Sequence, residues 1–339
     1  MQSLVKQNRI GWIDTAKGIG LLLVILGHTR LPYASSLIYT FHIPLFFFLS
    51  GAVFSGTKYG FKEFFVKKFK SLVIPYFCLG AVIFLFFSIV YAVQGEPLGA
   101  YTDMLFNFLR QEHFWTIWFL AGLFITEIIY YWINKLLCKY KFAVTAASVI
   151  VCVLGLLRYR LGFDGLPWNI DIALVAQFFF HLGYRFKLNE KLQSLVFREK
   201  TPAFLLTAAA LFIINVAAGV ACMKVSGLSL DMSVGLYGNE PLTMISAVSG
   251  ILFTVCISNK INLKFLTYLG QNTMIIFSWH SRIIMVLCDM IFAYFVLLQG
   301  TDLVSKAIYA VVVTAASLIV LIPVNELIKR TKAHKLFGV

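Results

Sequence analysis

The sequence predicts an all-α, polytopic integral membrane protein with about ten transmembrane helices and both termini in the cytoplasm. Three observations lead to this fold class. Hydrophobic residues make up 60% of the chain and charged residues only 13%, and the mean hydropathy of +0.85 lies well above that of soluble domains. Apolar stretches long enough to cross a bilayer recur along the chain. Lysine and arginine are concentrated in alternate connections between these stretches.

Ten apolar stretches of about 20 residues, the length that a helix needs to cross the hydrocarbon core, follow one another. They centre near Val24, Phe47, Phe84, Phe124, Ser148, Phe178, Ala209, Ser249, Met285 and Val313. The first, "GIGLLLVILG", is similar to a signal-peptide core, but no small-residue cleavage site follows it and the second stretch begins almost at once. We therefore interpret it as a helix. The short connections predict a single integral domain over residues 1–339, without an appended soluble domain.

The distribution of charge fixes the predicted orientation. With the N-terminus inside, 21 of the 29 Lys and Arg residues fall in inner connections and six in outer ones, while Lys17 and Arg282 lie within spans. This asymmetry satisfies the positive-inside rule, and two cytoplasmic termini require an even number of spans. Basic connections facing an anionic leaflet also account for the net charge of +14. No nucleic-acid partner is expected, because the charge is spread over every inner connection and no binding module is recognisable.

The six cysteines do not follow the spacing of a metal site. They are scattered through or beside the apolar stretches, without a CxxC pair. We interpret them as small core residues, and we expect neither disulfides nor a metal ion.

Ionisable residues inside apolar stretches are costly and therefore indicate a functional interior. Lys17 and His28 are separated by eleven residues, or about three helical turns, so their side chains share one face of the first helix. Asp14 lies close to the same face. The three residues predict a polar stripe, about 16 Å long between Lys17 and His28. A plainer alternative for Asp14 and Lys17 is an ion pair at the membrane interface.

Two further histidines lie at a similar depth. His42 stands near the outer start of the second span, and His280 lies about fifteen residues into an outward-running helix. With His28 they predict a site in the outer half of the membrane. Structural roles are expected for His113, His181 and His334, although His113 borders the outer mouth.

Several blocks of sequence carry a family resemblance. "RIGWIDTAKGIGLLLVILGH" and "FHIPLFFFLSG" are followed in order by "KKFKSLVIPY", "IWFLAGLFITEIIYY", "LPWNIDIALVAQFFFHLGYRF" and "LGQNTMIIFSWH". Together they resemble membrane acyltransferase family 3, especially its sugar O-acetylase branch, which includes proteins similar to fucose 4-O-acetylases. The resemblance implies transfer of an acetyl group from cytoplasmic acetyl-CoA to a hydroxyl of a glycan or glycolipid. Neither an HxxxxD pattern nor a GxSxG elbow is present.

The resemblance also implies roles for individual residues. The family pattern has a basic residue, ten intervening positions and a histidine, which Lys17 and His28 match. Lys67 and Lys70 stand where the family has a basic pair, and all three lysines are candidates to hold the phosphates of the donor as point charges. The positive-inside bias alone also explains lysines at Lys67 and Lys70.

The expected chemistry is removal of a proton from a sugar hydroxyl as it attacks the thioester. An imidazole, with a reference pKa of about 6.5, suits this task, and we expect His28 to be the general base, oriented by the stripe that includes Asp14. His42 can orient His28, bind the acceptor or assist proton transfer. His280 can stabilise the oxyanion or close the site. Direct transfer and a covalent acyl-histidine intermediate both stay open.

Other functions are compatible with the same pattern. Buried Asp, Lys and His residues also form proton relays, so a proton-coupled transporter or polysaccharide exporter is the main alternative, followed by a noncatalytic scaffold. Within acyl transfer, the donor can be another acyl thioester such as succinyl-CoA. The acceptor can be an exopolysaccharide, lipopolysaccharide O-antigen, teichoic acid or a lipid-linked sugar. A bacterial inner or plasma membrane is the expected location, with lipids as neighbours, and the oligomeric state is not indicated.

Overall fold

A computed structural model describes residues 10–29, 31–110, 115–140, 142–163, 165–197, 201–227, 230–292 and 302–339. Throughout these ranges the regular structure is helical, and the only β-type pairing is an isolated bridge between Asp231 and Leu236. The predicted all-α class is confirmed.

Seventeen α-helices follow one another in the described ranges. They are α1 (Gly11–Gly27), α2 (Ala34–Tyr39), α3 (His42–Ala52), α4 (Phe61–Lys68), α5 (Ile74–Gln94), α6 (Leu98–Arg110), α7 (Trp118–Leu137), α8 (Ala143–Arg160), α9 (Ile170–Leu188), α10 (Glu190–Val196), α11 (Thr201–Ser226), α12 (Glu240–Ser258), α13 (Lys264–Gln271), α14 (Thr273–Trp279), α15 (Val286–Phe292), α16 (Leu303–Lys329) and α17 (His334–Phe337). π-helical segments join α4 to α5 at Phe69–Val73 and α14 to α15 at His280–Met285.

Helical segments occupy the centres of all ten predicted spans. In the described ranges, eight are long and apolar enough to cross a membrane. The other two predicted positions are α1, which has 17 residues, and α9, which carries Asp171, Arg185 and Lys187. Together these features make the chain a multi-pass membrane protein. The number of ten spans and the cytoplasmic location of the termini stay predictions.

Helix α1 lies at the centre of the bundle, against α3, α12, α13 and α14. Its closest approach is to α13, where a Cβ atom on Gly18 would overlap the carbonyl oxygen of Leu266 and one on Gly270 would overlap that of Asp14. Small residues let helix backbones approach closely in membranes, where packing drives association. This contact fixes the start of α1, which carries Asp14 and Lys17.

The two described ends of the chain lie toward the same face. Helix α17 is followed by Gly338, which lies against Pro75 and Met274. Thr273, next to Met274, borders the cavity that also contains Asp14 and Lys17 near the start of α1. This arrangement fits the predicted even number of spans.

Candidate active site

A cavity of about 150 Å³ lies at the end of α1 and contains two of the three predicted histidines. We call it the histidine cavity. Residues from α1, α2, α3, the start of α7, the 231–234 turn and the segment after α14 form its wall, including His28, Tyr39, His42, Trp118, Asp231 and Arg282. His280 is fully buried beside it.

The structure brings His28, His42 and His280 together. The ring centroids of His28 and His280 are 5.2 Å apart. Tyr39 connects the other pair, because its ring centroid lies 4.9 Å from that of His42 and 5.9 Å from that of His28. The hydroxyl oxygen of Tyr39 is 3.0 Å from Nδ1 of His28.

Backbone carbonyls fix the tautomers of two of these histidines. Nδ1 of His42 lies 2.8 Å from the carbonyl oxygen of Ile38. Nδ1 of His280 lies 3.0 Å and 2.9 Å from those of Ile276 and Phe277. A carbonyl oxygen can only accept a hydrogen bond, so each Nδ1 carries a proton and, in the neutral ring, Nε2 carries the lone pair.

Nε2 of His280 is buried and has no hydrogen-bond partner among the described residues. A buried acceptor without a partner loses the hydrogen bonds that water would provide, and such atoms are uncommon in folded proteins. His280 is also the first residue of the π-helical segment, and π-type turns are frequent at functional sites. The result is a bare basic nitrogen next to His28.

Two charged residues of this cavity were missing from the predicted site. Arg282 lies in the cavity wall, two residues after His280. A lone arginine inside an apolar span itself indicates function, so Arg282 could have been included in the site from the sequence alone. Asp231 comes from the turn closed by its pairing with Leu236, and its Oδ1 accepts hydrogen bonds from the amide and hydroxyl of Ser233. No sequence pattern connects this turn to α1.

A second cavity, of about 490 Å³, opens near the start of α1. We call it the lysine cavity. Its wall includes Asp14, Lys17, Lys67, Lys68 and Lys187. Asp14 therefore lies with the lysines and not with the histidines, and its Oδ2 accepts a hydrogen bond of 2.8 Å from Gln271. Lys70 is exposed and does not contribute to either of the two walls.

The lysine cavity includes two cations that sequence reasoning missed, Lys68 and Lys187. Lys68 forms an ion pair of 2.7 Å with Glu127, a residue of α7 that is 3% exposed. Glu127 is an acid in an apolar span, which was an available signal. Lys187 donates a hydrogen bond of 3.3 Å to the carbonyl of Phe54. Lys67, which was predicted, lies over the ring of Tyr59 at 4.5 Å.

Three phenylalanines, Phe46, Phe119 and Phe277, pack against one another, and Phe46 lies against Gly20, which stands between Lys17 and His28 on α1. Their ring centroids are 5.9, 6.0 and 5.5 Å apart, and each is at most 7% exposed. We call them the aromatic layer. On α14, Thr273 borders the lysine cavity and Phe277 the histidine cavity, a separation of about 6 Å along the helix. The predicted polar stripe borders both cavities, with Lys17 in the wall of the lysine cavity and His28 in the wall of the histidine cavity.

The remaining histidines are elsewhere. Both ring nitrogens of His181 are 2.9 Å from hydroxyl groups, of Tyr130 and Thr145. His334 is bonded to the carbonyl of Thr331 in the tail. These contacts fit structural roles, while His113 lies outside the described residues. Within the described ranges, no three His, Cys, Asp or Glu side chains are grouped to hold a metal ion.

A family model described as an acyltransferase domain matches residues 10–325. The chain belongs to the acyltransferase 3 family. The match extends from the residue before α1 into α16, so both cavities of this acyltransferase lie inside it. Membership confirms the resemblance seen in the motifs and makes the protein an enzyme that takes an acyl donor and an acceptor. Neither the search of curated proteins nor that of solved structures found a match to this acyltransferase.

Proposed function

We propose that this acyltransferase moves an acetyl group from cytoplasmic acetyl-CoA to a hydroxyl of a cell-surface glycan or lipid-linked sugar, with His28 as the general base. One observation carries the proposal. Helix α1 presents Lys17 to the lysine cavity and His28 to the histidine cavity, about 16 Å apart along one axis. A donor held at one end and an acceptor entering at the other meet along this helix.

The lysine cavity supports a phosphate-bearing donor. Its volume of about 490 Å³ is typical of ligand sites. Lys17, Lys67 and Lys187 give its wall a positive charge, and ammonium groups bind phosphates as point charges. From the positive-inside rule we expect this face to lie in the cytoplasm, where acetyl-CoA is available. The proposed location is therefore a bacterial inner or plasma membrane, with the histidine cavity toward the outside.

The histidine cavity favours a short acyl group. A cavity of about 150 Å³ holds a molecule the size of benzene. An acetyl group and one sugar hydroxyl fit this space, whereas a long acyl chain does not. The thin pantetheine arm of the donor has to pass between the rings of the aromatic layer to reach it, so we infer that Phe46, Phe119 and Phe277 separate when the donor binds.

The chemistry follows from the nitrogen atoms available. The acceptor hydroxyl gives its proton to an imidazole of His28 as its oxygen attacks the thioester carbonyl. The tetrahedral intermediate then collapses to the ester, the C–S bond breaks, and the proton returns from His28 to the departing thiolate to give free CoA. The guanidinium of Arg282, in the same wall, supplies positive charge toward the developing oxyanion.

The geometry favours a different role for His280 from oxyanion stabilisation. Its Nδ1–H is committed to backbone carbonyls, and its neutral Nε2 can only accept a proton. We therefore assign His280 to share the proton that His28 takes up. His42, with its Nδ1–H held by Ile38, has its lone pair on Nε2, and we assign this nitrogen to accept a hydrogen bond from the acceptor hydroxyl.

Transfer of radiolabel from acetyl-CoA tests the proposal. Purified protein in liposomes that contain extracted envelope glycans is expected to move label into the glycan fraction, and mass spectrometry then locates the ester. Acetyl-CoA is also expected to raise the unfolding temperature in detergent, which a simple exporter would not require. Stabilisation by succinyl-CoA but not acetyl-CoA would reassign the donor, and the lack of transfer and of stabilisation by either thioester would reject the proposal.

A further inference from the structure

Tyr39 is a polar neighbour within hydrogen-bond distance of the proposed base. Its hydroxyl oxygen lies 3.0 Å from Nδ1 of His28, while its ring packs edge-on against both His28 and His42. Tyr39 also contacts the backbone side of α1, since a Cβ atom on Gly27 would come within 3.3 Å of its ring. The side chain thus fills the space between α1 and the start of α3.

The position of Tyr39 is fixed by the residue that follows it. The hydroxyl of Thr40, which is 3% exposed, accepts hydrogen bonds from Ser246 at 3.0 Å and from Asn215 at 3.3 Å, and donates one to the carbonyl of Leu37. Helix α2 is therefore tied to α11 and α12 at its last turn. Because Thr40 ties this segment to the bundle, the neighbouring Tyr39 hydroxyl does not move independently and can orient the imidazole of His28.

We propose that Tyr39 is a positioning residue that sets the tautomer of His28 by accepting a hydrogen bond from Nδ1–H, which leaves the lone pair on Nε2 for the acceptor hydroxyl. The proposal rests on the proposed function of His28. In the reverse arrangement the tyrosine hydroxyl donates to Nδ1, the proton of the ring sits on Nε2, and the neutral ring has no free lone pair to act as a base.

The charges around Tyr39 favour the proposed direction. The carboxylate of Asp231 and the guanidinium of Arg282 both lie in the same cavity wall and both act electrostatically on the Tyr39 hydroxyl. The carboxylate attracts the hydroxyl hydrogen of Tyr39, which frees the oxygen to accept from His28. When Nε2 takes up a proton, the ring becomes a cation, and its Nδ1–H bond to Tyr39 strengthens because charged donors form stronger hydrogen bonds.

Tyr39→Phe is the decisive variant, because it removes the hydroxyl and keeps the ring contacts. In the Ser-His-Asp triad of chymotrypsin-like proteases, replacing the aspartate that holds the histidine tautomer lowers kcat about 10⁴-fold. A neutral tyrosine holds the ring less firmly than a carboxylate. For Tyr39→Phe we therefore expect kcat to fall by at least about tenfold. The KM for acetyl-CoA is expected to stay unchanged, since the lysine cavity is untouched. Tyr33→Phe is the matched control, because Tyr33 belongs to the same segment and is 83% exposed.

The tautomer itself can be read by ¹⁵N NMR of histidine-labelled protein in nanodiscs, with the His28 signals assigned by their loss in His28→Gln. The expected result is a protonated Nδ1 and a bare Nε2 in the wild type, and a mixture of both tautomers in Tyr39→Phe. A wild-type His28 protonated on Nε2, or full kcat in Tyr39→Phe, would overturn the proposal. The spectrum needs no acceptor, so this failure is distinguishable from an enzyme that does not transfer acetyl groups.

Discussion

The ring centroids of His28 and His280 are 5.2 Å apart with the ring planes tilted by 42°, and Nε2 of His280 is buried without a hydrogen-bond partner among the described residues. The two residues come from helices that are about 250 positions apart in the chain. We propose that the lone pair on Nε2 of His280 shares the proton that His28 takes up during transfer.

Replacement of His280 by glutamine is expected to lower kcat by about 10²-fold, the smaller end of the range for general acid–base catalysis, because proton transfer through His28 loses its partner. Affinity for acetyl-CoA is expected to be unchanged. The assay is radiolabelled transfer in liposomes, with His181→Gln as control. That variant loses hydrogen bonds to Tyr130 and Thr145 and is expected to unfold at lower temperature while it keeps its kcat. Equal kcat values for the wild type and His280→Gln would contradict the shared-proton account.

Lys17→Ala is expected to weaken acetyl-CoA binding by about tenfold, because it removes one charge-assisted hydrogen bond to a phosphate of the donor. Isothermal titration with detergent-solubilised protein measures this loss. Lys62→Ala is the control, because Lys62 is exposed on α4 and lies outside the cavity wall. For Lys70→Ala we expect a smaller effect than for Lys67→Ala, since Lys67 borders the cavity and Lys70 does not. The same affinity for Lys17→Ala and Lys62→Ala would remove the donor site from this cavity.

The ion pair between Lys68 and Glu127 is expected to stabilise the protein. Glu127→Ala leaves Lys68 without its ion-pair partner, and loss of one member of a buried pair costs about 3–5 kcal/mol. We expect a value near the lower end, because the Lys68 side chain is 26% exposed. Thermal unfolding in detergent gives the size of the effect. A double variant, Lys68→Met with Glu127→Leu, is expected to recover most of the loss, and no recovery would show that Glu127 acts through other contacts.

If the pantetheine arm of acetyl-CoA passes the aromatic layer, a change in this layer is expected to weaken binding of the arm without affecting binding of the nucleotide. A Cβ atom on Gly20 would lie 3.1 Å from the ring of Phe46 and 3.2 Å from Leu45. The larger side chain of Gly20→Val is therefore expected to restrict the movement of Phe46 that lets the arm pass. We expect affinity for acetyl-CoA to fall toward that for its nucleotide fragment, 3′-phospho-ADP, whose own affinity is unchanged. Gly99→Val is the control, because nothing lies within 4 Å of a Cβ atom there. A parallel loss of affinity for both ligands would place the effect in the lysine cavity instead.

The sequence predicted the positions of the helices and the meeting of the three histidines for simple physical reasons. About 20 apolar residues are needed per span, and the 3.6-residue period puts Lys17 and His28 on one face of α1. Depth along neighbouring helices was enough to bring His42 and His280 to the same level. Helix α1 is short for a span and α9 carries charged residues in its end turns, and both pack among other helices.

The remaining features depend on packing between distant segments, which the sequence alone does not define. The pair of Lys68 and Glu127 requires the orientation of α4 against α7. The bare Nε2 of His280 requires a π-helical turn, and Asp231 enters through a turn of its own. The mutual packing of Phe46, Phe119 and Phe277 likewise depends on three helices that are distant in the chain.

The most direct test of the central claim is a sided transfer assay in liposomes with His28→Gln. Radiolabelled acetyl-CoA is supplied only at the lysine-lined face and the glycan acceptor only at the opposite face, and acetyl-CoA affinity is measured in parallel. We expect labelled glycan with the wild type, and loss of labelling with His28→Gln at unchanged donor affinity. Full labelling by a correctly inserted His28→Gln protein would contradict it.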